Sequence, residues 1–347
     1  MQVAKLSADL IGQTDLLRLN SLSELTGCDI FVKLESQNPG GSIKDRAALQ
    51  MIKDALASGE LKPGMTIVEG TAGNTGIGLA VVARSFGLNM VAVMPNDQTK
   101  EKEQMIQLHG AELVTVDPVP FKDERHFYHT ARRLAEERPD YWWANQFENT
   151  SNARAHYLTT GPEIWEQTQG KIDILVSAAG TGGTIAGNSM FLKEQNPAVQ
   201  VWLVDPDGSG IYSYLKSGAY VSQGSSFTEG IGIMRLVENF RLAQIDAAVN
   251  LPDDDLVSLS RHLVQHEGLV LGSSSCLNVA GALQAAVLHG PGKTIVTFAC
   301  DLGERSASKL YNPEYLAQRG VRTDAEPIHD LIARYRQQGD RVWYRTP

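Results

Sequence analysis

Length and composition place the chain among the globular proteins. It has 347 residues, of which 42% are hydrophobic and 20% are charged, and that balance is typical of a protein with a sizeable core. The length fits about two domains, or one large fold with an additional lobe. The formal net charge of −9 argues against nucleic acid or an anionic membrane as the main partner.

Cysteine usage and the first residues predict a cytoplasmic location. Cys28, Cys276 and Cys300 are odd in number and show neither CxxC nor metal-ligand spacing, which favours a reducing compartment. The first ten residues carry Lys5 and Asp9 and lack the apolar core of a signal peptide. No uncharged apolar run approaches the roughly 20 residues that span a bilayer. We therefore expect no membrane segment and no metal site.

Short β-rich runs alternate with helical patterns along most of the chain. The predicted strands are 29–34, 66–69, 90–94, 112–116, 172–177, 200–204, 247–251 and 294–300. The predicted helices are 21–25, 44–58, 75–86, 100–109, 126–137, 153–168, 184–194, 253–266 and 277–289. This alternation is typical of βαβ units on a parallel sheet, so we predict an α/β fold. The polar, glycine-rich stretch 222–232 is too long for an ordinary turn, and such connections are often functional.

One lysine stands in an unusual place. The strand 29–34 enters a turn at 38–41 that contains Pro39 and two glycines, Ser42 then occupies an N-cap position, and Lys44 lies in the first turn of the next helix. Helix starts disfavour positive charge, and glycines let a planar group approach the backbone. The pattern suits an amine that is kept uncharged to form a Schiff base. The alternative is an ordinary exposed lysine.

Two glycine-rich strand-to-helix turns carry polar side chains that a plain turn does not need. In the first, at 69–78, Thr71, Asn74 and Thr75 could hold a substrate carboxylate or a cofactor hydroxyl. The second, at 177–184, is a run of small residues suited to a phosphate group. It lacks the Gly-Lys-Ser/Thr of a P-loop, which disfavours nucleoside triphosphate chemistry. A dinucleotide site remains the alternative, because Asp205 and Asp207 follow the next strand.

The third turn, Gly272-Ser-Ser-Ser-Cys276, also joins a strand to a helix. Its serines are either helix N-caps or include a hydroxyl that faces a cofactor ring nitrogen. Cys276 is a poor candidate for a nucleophile, because no histidine is recognisably placed as its base.

In this order and at these separations, Lys44, the Asn74 turn, the 180–184 turn and the Ser274 turn resemble the pyridoxal-phosphate enzymes of the cysteine synthase and cystathionine β-synthase family. The resemblance covers about residues 10–315. It implies the α/β fold type II architecture of the tryptophan synthase β type, in which two lobes with mostly parallel twisted sheets enclose the active site. The implied lobes are a large cofactor-binding domain at 1–40 and 150–315 and a smaller substrate-side domain at 41–149, followed by a C-terminal tail at 316–347.

The resemblance also implies a role for each matching residue. Lys44 looks like the Schiff-base lysine and general base, Asn74 like the partner of the cofactor's phenolic oxygen, and Ser274 like the partner of the pyridine nitrogen. The phosphate cradle would be Gly180, Thr181, Gly182, Gly183 and Thr184. The substrate α-carboxylate site would comprise Thr71, Ala72, Gly73, Asn74, Thr75 and Gln146, and the loop Glu229-Gly230-Ile231-Gly232 would face the cofactor ring.

The activity implied is β-replacement or β-elimination on a serine- or cysteine-like amino acid. The favoured reaction is that of a cysteine synthase, which combines O-acetylserine with sulfide or a thiol. Alternatives are an L-cysteine desulfhydrase, a cystathionine β-synthase-like core, a catalytically silent pyridoxal-phosphate-binding partner protein and a nicotinamide dehydrogenase. Two departures keep the desulfhydrase close: Ala72 replaces the serine common in synthases, and Ile233-Met-Arg-Leu236 replaces their usual Gly-Phe-Ile-Pro. The resemblance further implies a homodimer.

Overall fold

The computed structural model describes residues 3–345. Residues 1, 2, 346 and 347, which the predicted large domain and C-terminal tail include, lie outside the described residues. The strands are β1 Leu16–Arg18, β2 Asp29–Leu34, β3 Thr66–Gly70, β4 Asn89–Pro95, β5 Glu112–Val116, β6 Tyr141–Trp143, β7 Ile174–Ser177, β8 Gln200–Pro206, β9 Ala247–Leu251, β10 Thr294–Ala299 and β11 Trp343–Tyr344.

The α-helices within the same residues are α1 Asn20–Thr26, α2 Lys44–Ser58, α3 Asn74–Ser85, α4 Lys100–Leu108, α5 Phe127–Glu137, α6 Ser151–Ala155, α7 Gly161–Gln167, α8 Gly183–Gln195, α9 Ile211–Ser217, α10 Glu238–Arg241, α11 Asp253–Glu267, α12 Ser273–His289, α13 Pro313–Gln318 and α14 Ile328–Gln337. In the described part of the chain, no helix has both the length and the apolar character needed to cross a bilayer.

The strands form two sheets. The larger has the order β1-β2-β10-β7-β8-β9-β11, and the smaller has the order β5-β4-β3-β6. All neighbours are parallel except the two edge strands of the larger sheet, β1 and β11, which are antiparallel. The predicted α/β class with mostly parallel sheets is confirmed.

The central strands of both sheets are buried on both faces. In β8, Trp202 and Val204 belong to one hydrophobic cluster, whereas Val201 and Leu203 point into another on the opposite face. Strands of this kind are continuously apolar rather than alternating, because helices cover each side of the sheet. Ile67 and Val68 of β3 divide between two clusters in the same way. This is why the central strands could be predicted from short apolar runs.

The structure corrects several predicted elements. The helix expected at 153–168 is three pieces, because a π-type turn at His156–Thr160 separates α6 from α7. The serines at 273–275 are inside α12, whose N-cap is Gly272, so they do not act as caps. The predicted strand 172–177 begins at Ile174. Strands β1 and β11 and helices α9 and α10 were not predicted, because they are too short to show a period.

The strands of the larger sheet come from 16–34 and 174–344, and those of the smaller sheet come from 66–143. Near the C-terminus, α14 packs against α12, and β11 pairs with β9. The segment predicted as a tail at 316–347 thus contributes structure to the larger sheet of its own chain. The division into domains at 1–40 with 150–315, 41–149 and 316–347 stays a proposal.

Candidate active site

A cavity of about 450 Å³ lies where the ends of strands β3 and β7 meet the helices that follow them. Ligands commonly bind at the carboxyl ends of parallel strands. The sequence-predicted residues that line this cavity are Lys44, Thr71, Ala72, Gly73, Asn74, Thr75, Gln146, Gly180, Thr181, Gly182, Thr184, Gly230 and Ser274. Residues from four separate turns therefore line the same cavity. Gly183 does not line the cavity.

Lys44 is the first residue of α2, and its backbone N–H donates to Ser42 Oγ at 3.3 Å. Burial lowers the pKa of the Lys44 amine, while the nearby Cys300 and Asp301 oppose that shift. A buried lysine that more readily loses its proton is a better nucleophile and base than one in water. The environment therefore suits the role that the sequence proposes for this amine.

The turn before α8 is shaped for an anion. Gly182, its N-cap, has a φ of +85° and no capping side chain, and the Gly183 N–H makes only a long contact of 3.5 Å to Thr181 Oγ1. A Cβ on Gly180 would lie 2.1 Å from the Gly230 carbonyl oxygen, so a side chain there would displace the opposite loop. Uncapped N–H groups at a helix N-terminus bind phosphate. This cradle fits the phosphate of pyridoxal phosphate.

Gly183 packs against Asn152 of α6, outside the cavity. A Cβ at this position would lie 2.0 Å from Asn152 Oδ1, and Asn152 Nδ2 in turn donates to Thr181 Oγ1 at 2.8 Å. The residue is a glycine because α6 packs against it. We therefore propose that packing explains why this residue is a glycine, while its backbone N–H stays a predicted contact to the phosphate.

The predicted carboxylate loop is internally hydrogen bonded. Thr71 Oγ1 accepts from the N–H groups of Gly73 and Gly76 at 2.9 and 3.3 Å. Thr75 Oγ1 donates to Gln146 Oε1 at 2.6 Å. The Thr71 oxygen accepts twice, so its own O–H remains available as a donor toward the cavity. We propose that the Thr71 hydroxyl, rather than that of Thr75, bonds a substrate carboxylate.

Aromatic side chains that the sequence did not single out close one side of the cavity: Phe121, His126, Phe127, Tyr128 and Phe147. The Arg235 guanidinium lies 4.7 Å from the Phe121 ring centroid and 5.0 Å from that of Tyr128, and it pairs with Glu148. The one indication of this contact in the sequence is the replacement of the usual Gly-Phe-Ile-Pro by 233–236. Phe121 and Tyr128 could not be linked to it, because they lie in a distant segment.

Glu229 connects the loop at the cavity to α4 and to the segment that carries Lys309. Its carboxylate pairs with Lys102 of α4 at 2.5 Å and with Lys309 at 2.6 Å, and it accepts from the Thr99 N–H at 3.0 Å. The side chain is 6% exposed. That this loop faces the cofactor ring stays a prediction, and the ion pairs explain how the loop is held at the cavity.

Glu69, at the end of β3, makes stability depend on pH. It is fully buried, its Oε1 has no hydrogen-bond partner within residues 3–345, and burial raises its pKa from 4.5 to about 8. Between those two values the unfolded state loses the proton while the folded state keeps it, so rising pH favours unfolding. We expect Glu69→Gln to remove this dependence, and its free energy of unfolding relative to wild type should rise by up to about 1.4 kcal/mol per pH unit.

Urea unfolding of Glu69→Gln at several pH values between 5 and 8 measures this slope. Glu60→Gln, which alters an exposed carboxylate, is the matched control and should follow wild type throughout. Parallel curves for Glu69→Gln and wild type would show that Glu69 is ionised in the folded protein.

Comparisons with known proteins agree with this geometry. The family model "Pyridoxal-phosphate dependent enzyme" matches residues 8–301. Cysteine synthase 1 of Neurospora crassa is 47% identical over 324 residues, which cover 92% of this chain and 86% of that protein. The cysteine synthase of Dictyostelium discoideum is 45% identical, with 89% and 84% covered. The crystal structure of O-acetylserine dependent cystathionine β-synthase from Helicobacter pylori superposes with a TM-score of 0.81 at 32% identity, over 89% of this chain and 99% of that one.

Proposed function

Since the chain belongs to the pyridoxal-phosphate dependent enzymes, we propose that it is a cysteine synthase, which forms L-cysteine and acetate from O-acetylserine and sulfide. The predicted fold type II architecture and the dependence on pyridoxal phosphate are confirmed by the family and its structures. The activity is supported above all by one observation: Lys44, the carboxylate loop and the phosphate cradle line a single cavity.

When bound, pyridoxal phosphate supplies an electron sink for the bond broken at the substrate Cα. The residues of the chain do the rest. The Lys44 Nζ would hold the cofactor through its aldehyde and would take the Cα proton, because a lowered pKa favours the unprotonated amine. The Thr71 hydroxyl and the N–H groups at the start of α3 orient the carboxylate, whose charge suits a helix N-terminus. The aromatic side chains at one side of the cavity would shield the reacting atoms from water.

Ser274 is proposed as the partner of the ring nitrogen. It lines the cavity at the start of α12 and lies beside Cys300. A serine hydroxyl does not carry the negative charge that stabilises a protonated ring nitrogen, so Ser274 would leave the cofactor a weaker electron sink than an aspartate would. A weaker sink favours loss of the β-substituent over transamination. This preference is common to a synthase and to a desulfhydrase.

A second candidate is L-cysteine desulfhydrase, favoured by Ala72. This residue lies in the carboxylate loop and lines the cavity, and it lacks the hydroxyl that synthases place there. A core that forms cystathionine is the third candidate, supported by the structural likeness to the Helicobacter pylori enzyme.

Product analysis separates these candidates. The purified protein, loaded with pyridoxal phosphate, is incubated with O-acetylserine plus sulfide, with cysteine alone, and with O-acetylserine plus homocysteine. A cysteine synthase makes cysteine in the first mixture faster than it makes sulfide, pyruvate and ammonia in the second. The reverse order contradicts the proposal and identifies a desulfhydrase, and rapid cystathionine formation in the third mixture identifies the third candidate.

Restoring a hydroxyl at position 72 tests the placement of the carboxylate loop. We expect Ala72→Ser to lower KM for O-acetylserine, because a hydrogen bond to a charged group is worth about 1.5–3 kcal/mol, or about 10- to 150-fold at most. Steady-state kinetics with O-acetylserine and with cysteine measure the change. An unchanged KM for both substrates would contradict the placement of residue 72 at the carboxylate.

Location and assembly are part of the proposal. The three cysteines are free and two of them are buried, which supports a reducing compartment such as the cytoplasm. The homodimer expected from the family resemblance is supported by Val3, Leu6 and Leu10, apolar side chains exposed on the N-terminal segment. Light scattering of the purified protein would give about twice the mass of the chain for a dimer, and the mass of a single chain would contradict it.

A further inference from the structure

One buried carboxylate, which contacts Asn74 of the site, has no part in the function proposed above. Asp301 follows β10 and is 3% exposed. Its Oδ2 accepts from Asn74 Nδ2 at 2.7 Å, whereas its Oδ1 is buried without a hydrogen-bond partner in the described residues. A Cβ on Gly272 would lie 2.0 Å from that Oδ1. The carboxylate therefore fits against the backbone before α12 only because residue 272 has no side chain.

Asp301 and Arg305 hold the Asn74 amide from opposite sides. Arg305 Nη1 donates to Asn74 Oδ1 at 2.9 Å, and Arg305 Nη2 donates to the backbone carbonyl of Gly40. The carboxylate accepts one N–H of the amide and the guanidinium donates to its oxygen. If the amide were flipped, its oxygen would face the carboxylate and its NH₂ group would face the guanidinium. Only the observed orientation therefore satisfies both partners.

That orientation leaves one donor free. The Nδ2 of Asn74 carries two N–H groups, and Asp301 takes one. Asn74 lines the cavity, as does Lys44. The second N–H is therefore the group that can reach a ligand beside the amine.

We propose that Asp301 is a positioning residue that acts through Asn74: it fixes the amide so that its free N–H meets the phenolic oxygen of pyridoxal phosphate. This inference rests on the cofactor site of the proposed function. Asp301 could instead act by its charge alone, since that charge also acts on Lys44, Cys276 and Cys300. The two roles make different demands, because positioning needs a hydrogen-bond acceptor and a charge effect needs the negative charge.

Asp301→Asn and Asp301→Ala separate the two roles. The asparagine keeps an oxygen that can accept from Asn74 but removes the charge, and the alanine removes both. The probe is pyridoxal 5′-phosphate added to the apoprotein, with its dissociation constant measured by fluorescence quenching and its visible absorbance recorded at saturation. We expect Asp301→Ala to weaken binding about tenfold or more, which is the effect of losing one hydrogen bond in the site. Asp301→Asn should stay within about threefold of wild type.

A double-mutant cycle identifies the residue through which Asp301 acts. Asn74→Ala should weaken binding and shift the absorbance band as Asp301→Ala does. The double variant Asp301→Ala/Asn74→Ala should then be no worse than Asn74→Ala, within about twofold. The proposal would be overturned if the losses of affinity of the two single variants multiplied in the double variant. It would also be overturned if Asp301→Asn bound pyridoxal phosphate as weakly as Asp301→Ala.

Arg305→Gln provides a second cycle if Asp301→Ala does not fold, because Arg305 contacts the same amide from the other side. Its loss of affinity should likewise disappear in the Asn74→Ala background, and independent losses would contradict the proposal. Binding to the wild-type protein distinguishes failure of this inference from failure of the proposed function. If it binds pyridoxal phosphate and the variants match it, only the role of Asp301 is refuted. If wild type binds none, the proposed function fails as well.

Discussion

Lys44→Ala is expected to reduce turnover at least about a thousandfold, as removal of a covalent catalytic group commonly does. The variant loses both the amine that holds the cofactor and the base that takes the Cα proton. Pyridoxal phosphate should still occupy the cradle weakly, through its phosphate. The first measurement is the initial rate of cysteine formation from O-acetylserine and sulfide. The second is the visible absorbance band at about 410 nm that belongs to a lysine-bound cofactor.

Lys53→Ala is the matched control for this substitution. Lys53 is exposed on the same helix, α2, so its loss tests whether any lysine-to-alanine change there disturbs the protein. It should keep the wild-type rate and absorbance. Activity retained in Lys44→Ala would remove the assignment on which the site depends.

Arg46→Met is expected to destabilise the fold by about 3–5 kcal/mol, the effect of leaving a buried charge unpaired. The Arg46 guanidinium lies two residues after Lys44, with its side chain 1% exposed, and contacts Glu35 at 2.7 Å and Glu163 at 2.7 Å. Glu35 is fully buried. These pairs fix α2, and with it Lys44, to the turn after β2 and to α7. Urea unfolding at neutral pH measures the loss.

Arg154→Met is the comparison for the loss of an arginine ion pair. Arg154 binds Asp54 at 2.6 Å but has a side chain 56% exposed, and surface pairs contribute about 0–1 kcal/mol. Adding Glu35→Gln to Arg46→Met should recover part of the stability, because the unpaired charge is then removed. Equal losses for Arg46→Met and Arg154→Met would contradict the structural role of the buried pair.

Much of the framework could be predicted from local sequence. Strands β2, β5 and β9 and helix α2 have the predicted limits, because each combines an apolar run or a helical period with clear glycine or proline boundaries. The same local signals placed Lys44, the 71–75 loop and the 180–184 turn at the ends of strands. Since the carboxyl ends of parallel strands meet at one edge, these residues converge on one cavity.

The contacts that orient the site could not be predicted in this way. Asn74 was identified, but its amide is held by Asp301 and Arg305, which are 227 and 231 residues away along the chain. No periodicity links positions so far apart. Gly183 was included in the cradle because it stands among glycines, but the sequence could not show that Asn152 leaves no room for a side chain there, where α6 packs against α8. Such details depend on tertiary packing, which a motif does not encode.

A crystal structure of the protein with pyridoxal phosphate tests the central claim most directly. The account predicts continuous electron density from Lys44 Nζ to the cofactor carbon that carries the aldehyde, with the phosphate on the N–H groups of residues 180–184. Cofactor bound to another lysine, or a phosphate located away from that turn, would contradict the account.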